Sequence, residues 1–324
     1  MKAVLCKTLD GPDALVVEEL PDPEPGPGEV VVGVKAVALN FFDTLITRGK
    51  YQYKPPLPFS PAGEMAGVVE KLGPGVSGLK PGQRVCGYLG AGAAREKVAV
   101  SADVLLPVPD GVSDEAAAGV TITYGTAIHG LKDRGQLEAG ETVAVLGASG
   151  GAGLAAVEIA KLMGARVIAA ASSAEKLELC KKHGADDVLN YSSTDLKQGL
   201  RDLTDGRGVD VVYDCVGDKY AEPALRAIAW GGRYLVIGFA AGQIPKIPLN
   251  LTLLKSCAIV GVFWGEAARR DPAGNRANMA QVLGWVAEGR LRPHVHATYP
   301  LERTGEAIKS LETRQVVGKV IVQV

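Results

Sequence analysis

The chain has 324 residues, 47% of them hydrophobic and 22% charged, with a formal net charge of −1. That length suits two domains better than one core, and the near-neutral balance gives no electrostatic footprint for nucleic acid or an anionic membrane surface, which counts against either as the main partner. No apolar run reaches the length of a bilayer span, and MKAVLCKTLDG lacks the apolar stretch and small-residue site of a leader, so the expectation is a mature, cytoplasmic protein with no membrane partner.

Up to about residue 110, short apolar runs (KAVLC, ALVVEEL, EVVVGVKAVAL, GEMAGVVEKLG, REKVAV) are punctuated by Gly and Pro, which predicts a β-rich segment. The proline-rich PDPEPGPGEV is flanked closely by apolar runs and reads as a turn between strands. Ser113 is placed as a helix N-cap, with Asp114 and Glu115 in the first turn. From Thr142 the texture changes. Strand-like TVAVL, RVIAAA, DDVLNY, VDVVYD, GRYLVIG and CAIVGVF alternate with helix-like segments, several of which stop at a glycine: Gly164, Gly184, Gly206 and Gly231. These strands are continuous Val/Ile/Ala runs, as a sheet covered on both faces requires. The fold class predicted is α/β, with a Rossmann-type doubly wound parallel sheet of six strands. Beyond Gly265 a helix around NRANMAQVLGWVAEG, a strand HVHATYPL, a helix ERTGEAIKSLETR and a last strand GKVIVQV are expected to return and complete the β-rich domain. The five cysteines (Cys6, Cys86, Cys180, Cys215, Cys257) are scattered and form no CxxC, which argues against a disulfide framework or a structural zinc site.

The stretch GASGGAGLA (147–155) follows a strand and opens a helix, the context in which glycines let a backbone approach a pyrophosphate. Its spacing is GxxGxxG. About twenty residues on, the second strand ends in Ser172 and Ser173 with no carboxylate at its tip, and Lys176 is close by. A carboxylate there accepts from a ribose 2′-OH, whereas hydroxyls and a lysine suit a 2′-phosphate. The reading is NADP(H) over NAD(H).

The combination NFFDTLITRGKY (40–51), LPFSPAGEMAGVVEKLGPGV (57–76), YGTA (124–127) and ASGGAGLAAVEIAK (148–161) resembles the medium-chain dehydrogenase/reductase superfamily. Within it, the chain is similar to the zinc-free quinone oxidoreductase branch that includes zeta-crystallin, nearly end to end. The resemblance implies a chaperonin-10-like catalytic domain (1–120 and 265–324), a Rossmann NADP(H)-binding domain (121–264), and a homodimer joined through the last Rossmann strand, CAIVGVF. Zinc-dependent relatives carry a cysteine where this chain has Asn40 and a histidine where it has Gly63, and they have a four-cysteine lobe where it has GYLGAGAARE. The expectation is therefore a metal-free protein. His294 and His296 share a strand face without a third ligand nearby in sequence.

Without a Lewis acid, the chemistry implied is hydride delivery from NADPH to an acceptor that is already electrophilic, a quinone or an α,β-unsaturated carbonyl. Family correspondence places Asn40, Asp43 and Tyr51 around nicotinamide and acceptor. Tyr51 is the candidate proton donor with Tyr53 as its alternative, and capping is the alternative role for Asp43. The same correspondence assigns Thr126, Gly150, Gly151, Ala152, Gly153, Ser172, Ser173, Lys176, Tyr191, Gly238, Phe239, Phe263, Gly265 and Arg314 to the cofactor, with Phe263, Trp264 and Gly265 lining a cleft between domains. Two other readings stay open at this stage. One is an enoyl- or acryloyl-thioester or 2-haloacrylate reductase, with Arg269, Arg270 and Arg276 at its entrance; the other is a nucleotide-binding protein with a structural or RNA-binding role.

Overall fold

The short N-terminal apolar runs pair as strands in the computed structural model, which describes residues 1–324. Strands β1 (Lys2–Leu5) and β2 (Val16–Glu19) form an antiparallel ribbon. The β-branched run β3 (Glu29–Leu39) pairs antiparallel with β4 (Glu64–Leu72) and with β6 (Lys97–Ser101). Strand β4 pairs with β5 (Arg84–Tyr88), and β5 with β7 (Leu105–Pro107). A single short helix, α1 (Phe41–Ile46), interrupts the passage from β3 to β4. Ser113 accepts from the Ala116 N–H at 3.2 Å and starts α2 (Asp114–Ile128).

Thereafter strand and helix alternate: β8 (Thr142–Leu146), α3 (Gly151–Leu162), β9 (Arg166–Ala171), α4 (Ala174–Lys182), β10 (Asp187–Asn190), α5 (Leu196–Asp202), β11 (Val209–Asp214), α6 (Ala221–Arg226), β12 (Ile228–Val236), α7 (Asn250–Lys255), β13 (Ala258–Gly261), α8 (Trp264–Arg270) and α9 (Pro272–Ala287). The six strands are all parallel, in the order β10-β9-β8-β11-β12-β13. The order reverses between β8 and β11, so the crevice at their carboxyl ends is the topological switch point where a ligand binds in such sheets. Every residue of β8 is buried, as a strand covered on both faces demands.

The last segment returns to the first sheet. Strand β14 (Val295–Pro300) lies parallel to β15 (Lys319–Gln323), β15 pairs antiparallel with β3, and α10 (Thr304–Glu312) packs its Ala307 and Ile308 into the same core as Val32, Leu39, Met65 and Val320.

Two compact units result, Met1–Ile122 with Met279–Val324, and Thr123–Asn278. The second boundary falls at 278/279, not at 264/265. Helix α8 and the start of α9, as far as Asn278, belong to the Rossmann unit because buried Trp264 packs on Gly125 and donates to Asn275 at 2.9 Å, while Asn278 bridges Lys132 and Asp133. A second difference concerns Gly231. The helix before it stops at Arg226, because Ile228 is drawn into the sheet opposite Val209 and is fully buried there; Gly231, at φ 75°, turns the chain within β12.

Candidate active site

In the Rossmann unit, Gly147 adopts φ 69°, and a side chain there would press on Val216 Cγ2 at 2.8 Å. At Gly153 a Cβ would stand 2.2 Å from the Gly147 carbonyl oxygen and 2.6 Å from Ala148 Cα, so only glycine lets the turn fold this tightly. Gly150 is the N-cap of α3 and brings no capping side chain. The first-turn N–H groups of Gly151, Ala152 and Gly153 are thus left to an outside acceptor, and the helix dipole favours an anion there. A pyrophosphate fits this cradle.

One strand over, Ser173 caps α4, its Oγ accepting from the Lys176 N–H at 3.4 Å, and Lys176 Nζ donates to Ser172 Oγ at 3.3 Å. The structure thus brings Ser172, Ser173 and Lys176 together. Tyr191 follows β10, its ring 4.5 Å from that of Tyr220. On the other side of the glycine turn, β11 ends in Asp214, whose carboxylate accepts from the N–H groups of Val216 and Gly217 and from the Tyr234 hydroxyl. Burial raises the Asp214 pKa, and these donors oppose the rise. Asp214 holds in place the loop that presents Val216 to Gly147, and sequence reasoning passed over it. Gly238 and Phe239 follow β12, with Phe239 against Gly217. Thr126 lies within α2; Phe263 is an exposed N-cap and Gly265 a first-turn residue of α8. Arg314 belongs to the other unit, exposed at φ 58° in the turn after α10.

In the β-rich unit, Asn40 follows β3 as the N-cap of α1. Asp43 at the third helical position reaches back: Oδ2 accepts from the Asn40 N–H at 2.8 Å and Oδ1 from the Ala62 N–H at 3.1 Å. Its carboxyl is fully buried, and burial pushes its pKa up to about 7 against the pull of those two N–H groups. Both oxygens thus accept from backbone N–H groups, the geometry of the capping role. Tyr51 stacks on Phe42 at 5.4 Å, and burial, then the Asp43 charge, raises its phenol pKa, so it keeps its proton at neutral pH. Tyr88, partly buried beside Tyr51, is pushed up to about 12 chiefly by burial. Tyr53 is half exposed.

Beside Asn40 lies a cluster that the spacing of motifs did not reveal. Lys319 Nζ donates to Asn40 Oδ1 and to Glu64 Oε1, each at 2.7 Å, and Asn40 Nδ2 donates to Glu64 Oε1 at 2.9 Å. The one signal in the sequence is a lysine opening the apolar run KVIVQV.

With this geometry established, comparison with known proteins places the chain. Residues 26–110 match the family "Alcohol dehydrogenase GroES-like domain" and residues 151–288 match "Zinc-binding dehydrogenase". Quinone oxidoreductase-like protein 2 of Rattus norvegicus is 38% identical over 321 residues, covering 99% of this chain and 91% of that protein. The chain belongs to the quinone oxidoreductase branch of the medium-chain dehydrogenase/reductase superfamily. The quinone oxidoreductase of Pseudomonas aeruginosa is 32% identical over 99% of this chain and 98% of its own. The crystal structure of Escherichia coli quinone oxidoreductase complexed with NADPH superposes with a TM-score of 0.91 at 29% identity, covering both chains fully. As a medium-chain reductase of this branch, the protein is an enzyme of the oxidoreductase class.

The residues of this reductase do not fit a bound zinc ion. A side chain at Gly63 would collide with Phe42 Cζ at 2.8 Å and the Gly90 carbonyl oxygen at 2.9 Å. Asn40 offers an amide already held by Lys319 and Glu64, and the Glu64 carboxylate already has a cation. No group of three His, Cys, Asp or Glu side chains converges in a way that could hold a metal, and the five cysteines are unpaired thiols.

Proposed function

We propose that the protein is an NADPH-dependent, zinc-independent reductase of quinones or other conjugated carbonyl acceptors. The observation that carries this is the corner around Asn40, where Gly63 and the Lys319–Glu64 pair leave no place for a Lewis acid. Simple alcohols and carbonyls then lack activation, whereas a quinone or enone delocalises its developing oxyanion and needs only hydrogen-bond donors and a proton.

The cradle of Gly150 to Gly153 holds the pyrophosphate, Ser172, Ser173 and Lys176 the 2′-phosphate, and Tyr191 the adenosine side; Thr126, Gly238, Phe239, Phe263, Gly265 and Arg314 complete the proposed cofactor set. When bound, NADPH supplies the hydride. Tyr51, held protonated by burial, gives the acceptor oxygen its proton, and Asn40 Nδ2–H is the second donor. A thioester substrate is less well served, because Arg269 and Arg270 are both engaged with Glu266. The protein is further proposed to act in the cytoplasm as a homodimer formed along the β13 edge, on which Ile259 is exposed, as are Leu253 and Leu254 in α7 just before it in the chain.

The test is steady-state oxidation of NADPH and NADH against 1,4-benzoquinone, an enal and a crotonyl thioester. NADPH is expected to be preferred by about tenfold or more in kcat/KM, with benzoquinone or the enal the better acceptor. Retained NADPH binding without turnover of any acceptor refutes the reductase reading; a preference for NADH refutes the role of Ser172, Ser173 and Lys176.

A further inference from the structure

Lys319 is 3% exposed, and its ammonium places all three hydrogens: on the Leu39 carbonyl at 3.1 Å, on Asn40 Oδ1 and on Glu64 Oε1. Glu64 has no exposure at all, and its other oxygen accepts from the Thr121 hydroxyl at 2.6 Å and the Ile122 N–H at 2.7 Å. Burying both partners of an ion pair strips two hydration shells, and an apolar pair of similar volume is commonly as stable or more so. Fold stability alone therefore does not account for it.

What the pair achieves is geometric. The Asn40 amide is gripped at both ends, its oxygen by an ammonium and one N–H by a carboxylate. Charge fixes the flip, since an ammonium repels an N–H and a carboxylate repels a carbonyl oxygen. The second hydrogen on Nδ2 has no partner within the protein, and Asn40 is partly exposed. We infer that Lys319 and Glu64 are positioning residues that lock the Asn40 amide in the one orientation presenting this N–H to the acceptor oxygen. An unlocked amide rotates and turns its own oxygen toward the developing negative charge, which is repulsive. The inference rests on the reductase reading.

The test replaces both charges together, Lys319→Met with Glu64→Gln, so that neither member of the pair is left buried without the other. NADPH affinity is expected to stay within about twofold, while kcat with benzoquinone falls about tenfold or more. Asn40→Ala is expected to lose about 100-fold, and adding the charge pair substitution to it to change kcat by less than about twofold, since the pair acts only through that amide. A merely structural role lowers kcat by the same factor in both backgrounds, and that result overturns the inference, as does an undiminished kcat in the charge-free variant. Selective labelling of asparagine with nitrogen-15 gives a readout free of turnover, because the chain has only Asn40, Asn190, Asn250, Asn275 and Asn278. The Asn40 side-chain hydrogens are expected to exchange about tenfold faster once the pair is removed; unchanged exchange overturns the lock. Absence of turnover in the unsubstituted protein overturns the reductase reading and this role with it, whereas additive kcat losses in an active protein overturn this role alone.

Discussion

Asp43 fills the capping role that its position three residues after Asn40 offered. It lies in the motif NFFDTLITRGKY beside Asn40, which makes it look reactive, yet both its oxygens are committed to backbone N–H groups and none of it is exposed. Its pKa of about 7, against 3.8 ordinarily, is raised by burial, so the native state binds a proton that the unfolded chain has released. Between about pH 4 and pH 7 this group therefore weakens the fold as pH rises, by about 1.4 kcal/mol for each pH unit crossed. Asp43→Asn removes that dependence, at a pH-independent cost of about 1–3 kcal/mol for setting an amide N–H against a backbone donor. Urea unfolding at pH 5 and pH 7.5 is expected to show the variant gaining about 2–3 kcal/mol on the parent across the interval; parallel profiles would contradict the assignment. Glu64 and Lys319, by contrast, were hidden from sequence reasoning. They stand 255 positions apart: the pairing of β4 with β3 sets Glu64 opposite Ala38, and the return of β15 onto β3 brings Lys319 to Asn40.

At the level of elements, the alternation after Thr142 was legible because buried parallel strands are written as unbroken apolar runs and helices end on glycine. The reading failed at Gly231, where a glycine inside a strand imitates a helix stop; the competing fact, burial of Ile228 against Val209, is tertiary. The short strands β5 and β7 fall within the segment read as β-rich, though their runs are too brief and interrupted to stand out singly. Strand β13 is the element with the most to reveal in solution. It pairs only with β12 and leaves its outer edge open, while Leu249 and Leu253 nearby are each 77% exposed. The proposed homodimer uses this open edge and the apolar surface beside it. Light scattering is expected to give the mass of two 33.7 kDa chains, and Leu253→Asp with Leu254→Asp to give one. A parent of single-chain mass would refute the dimer.

For the molecule as a whole, what could be read from the sequence was the chemistry carried by local strings, a glycine turn in GASGGAGLA and a second strand ending in Ser172 and Ser173, while the family resemblance added that Asn40 and Gly63 stand where zinc-dependent relatives have metal-binding residue types. What could not be read was how the vacated corner is filled, because Phe42, Gly90 and Lys319 close it from three separate segments. That closure carries the proposal made above, of a dehydrogenase scaffold whose electrophile is supplied by the acceptor and whose catalytic unit provides hydrogen-bond donors in place of a metal. The most direct measurement is NADPH-driven benzoquinone reduction by protein exhaustively dialysed against a chelator, with its metal content determined in the same sample. The account predicts full activity at less than about 0.05 zinc per chain and no gain when zinc is restored; activity lost on chelation and recovered with zinc would contradict it.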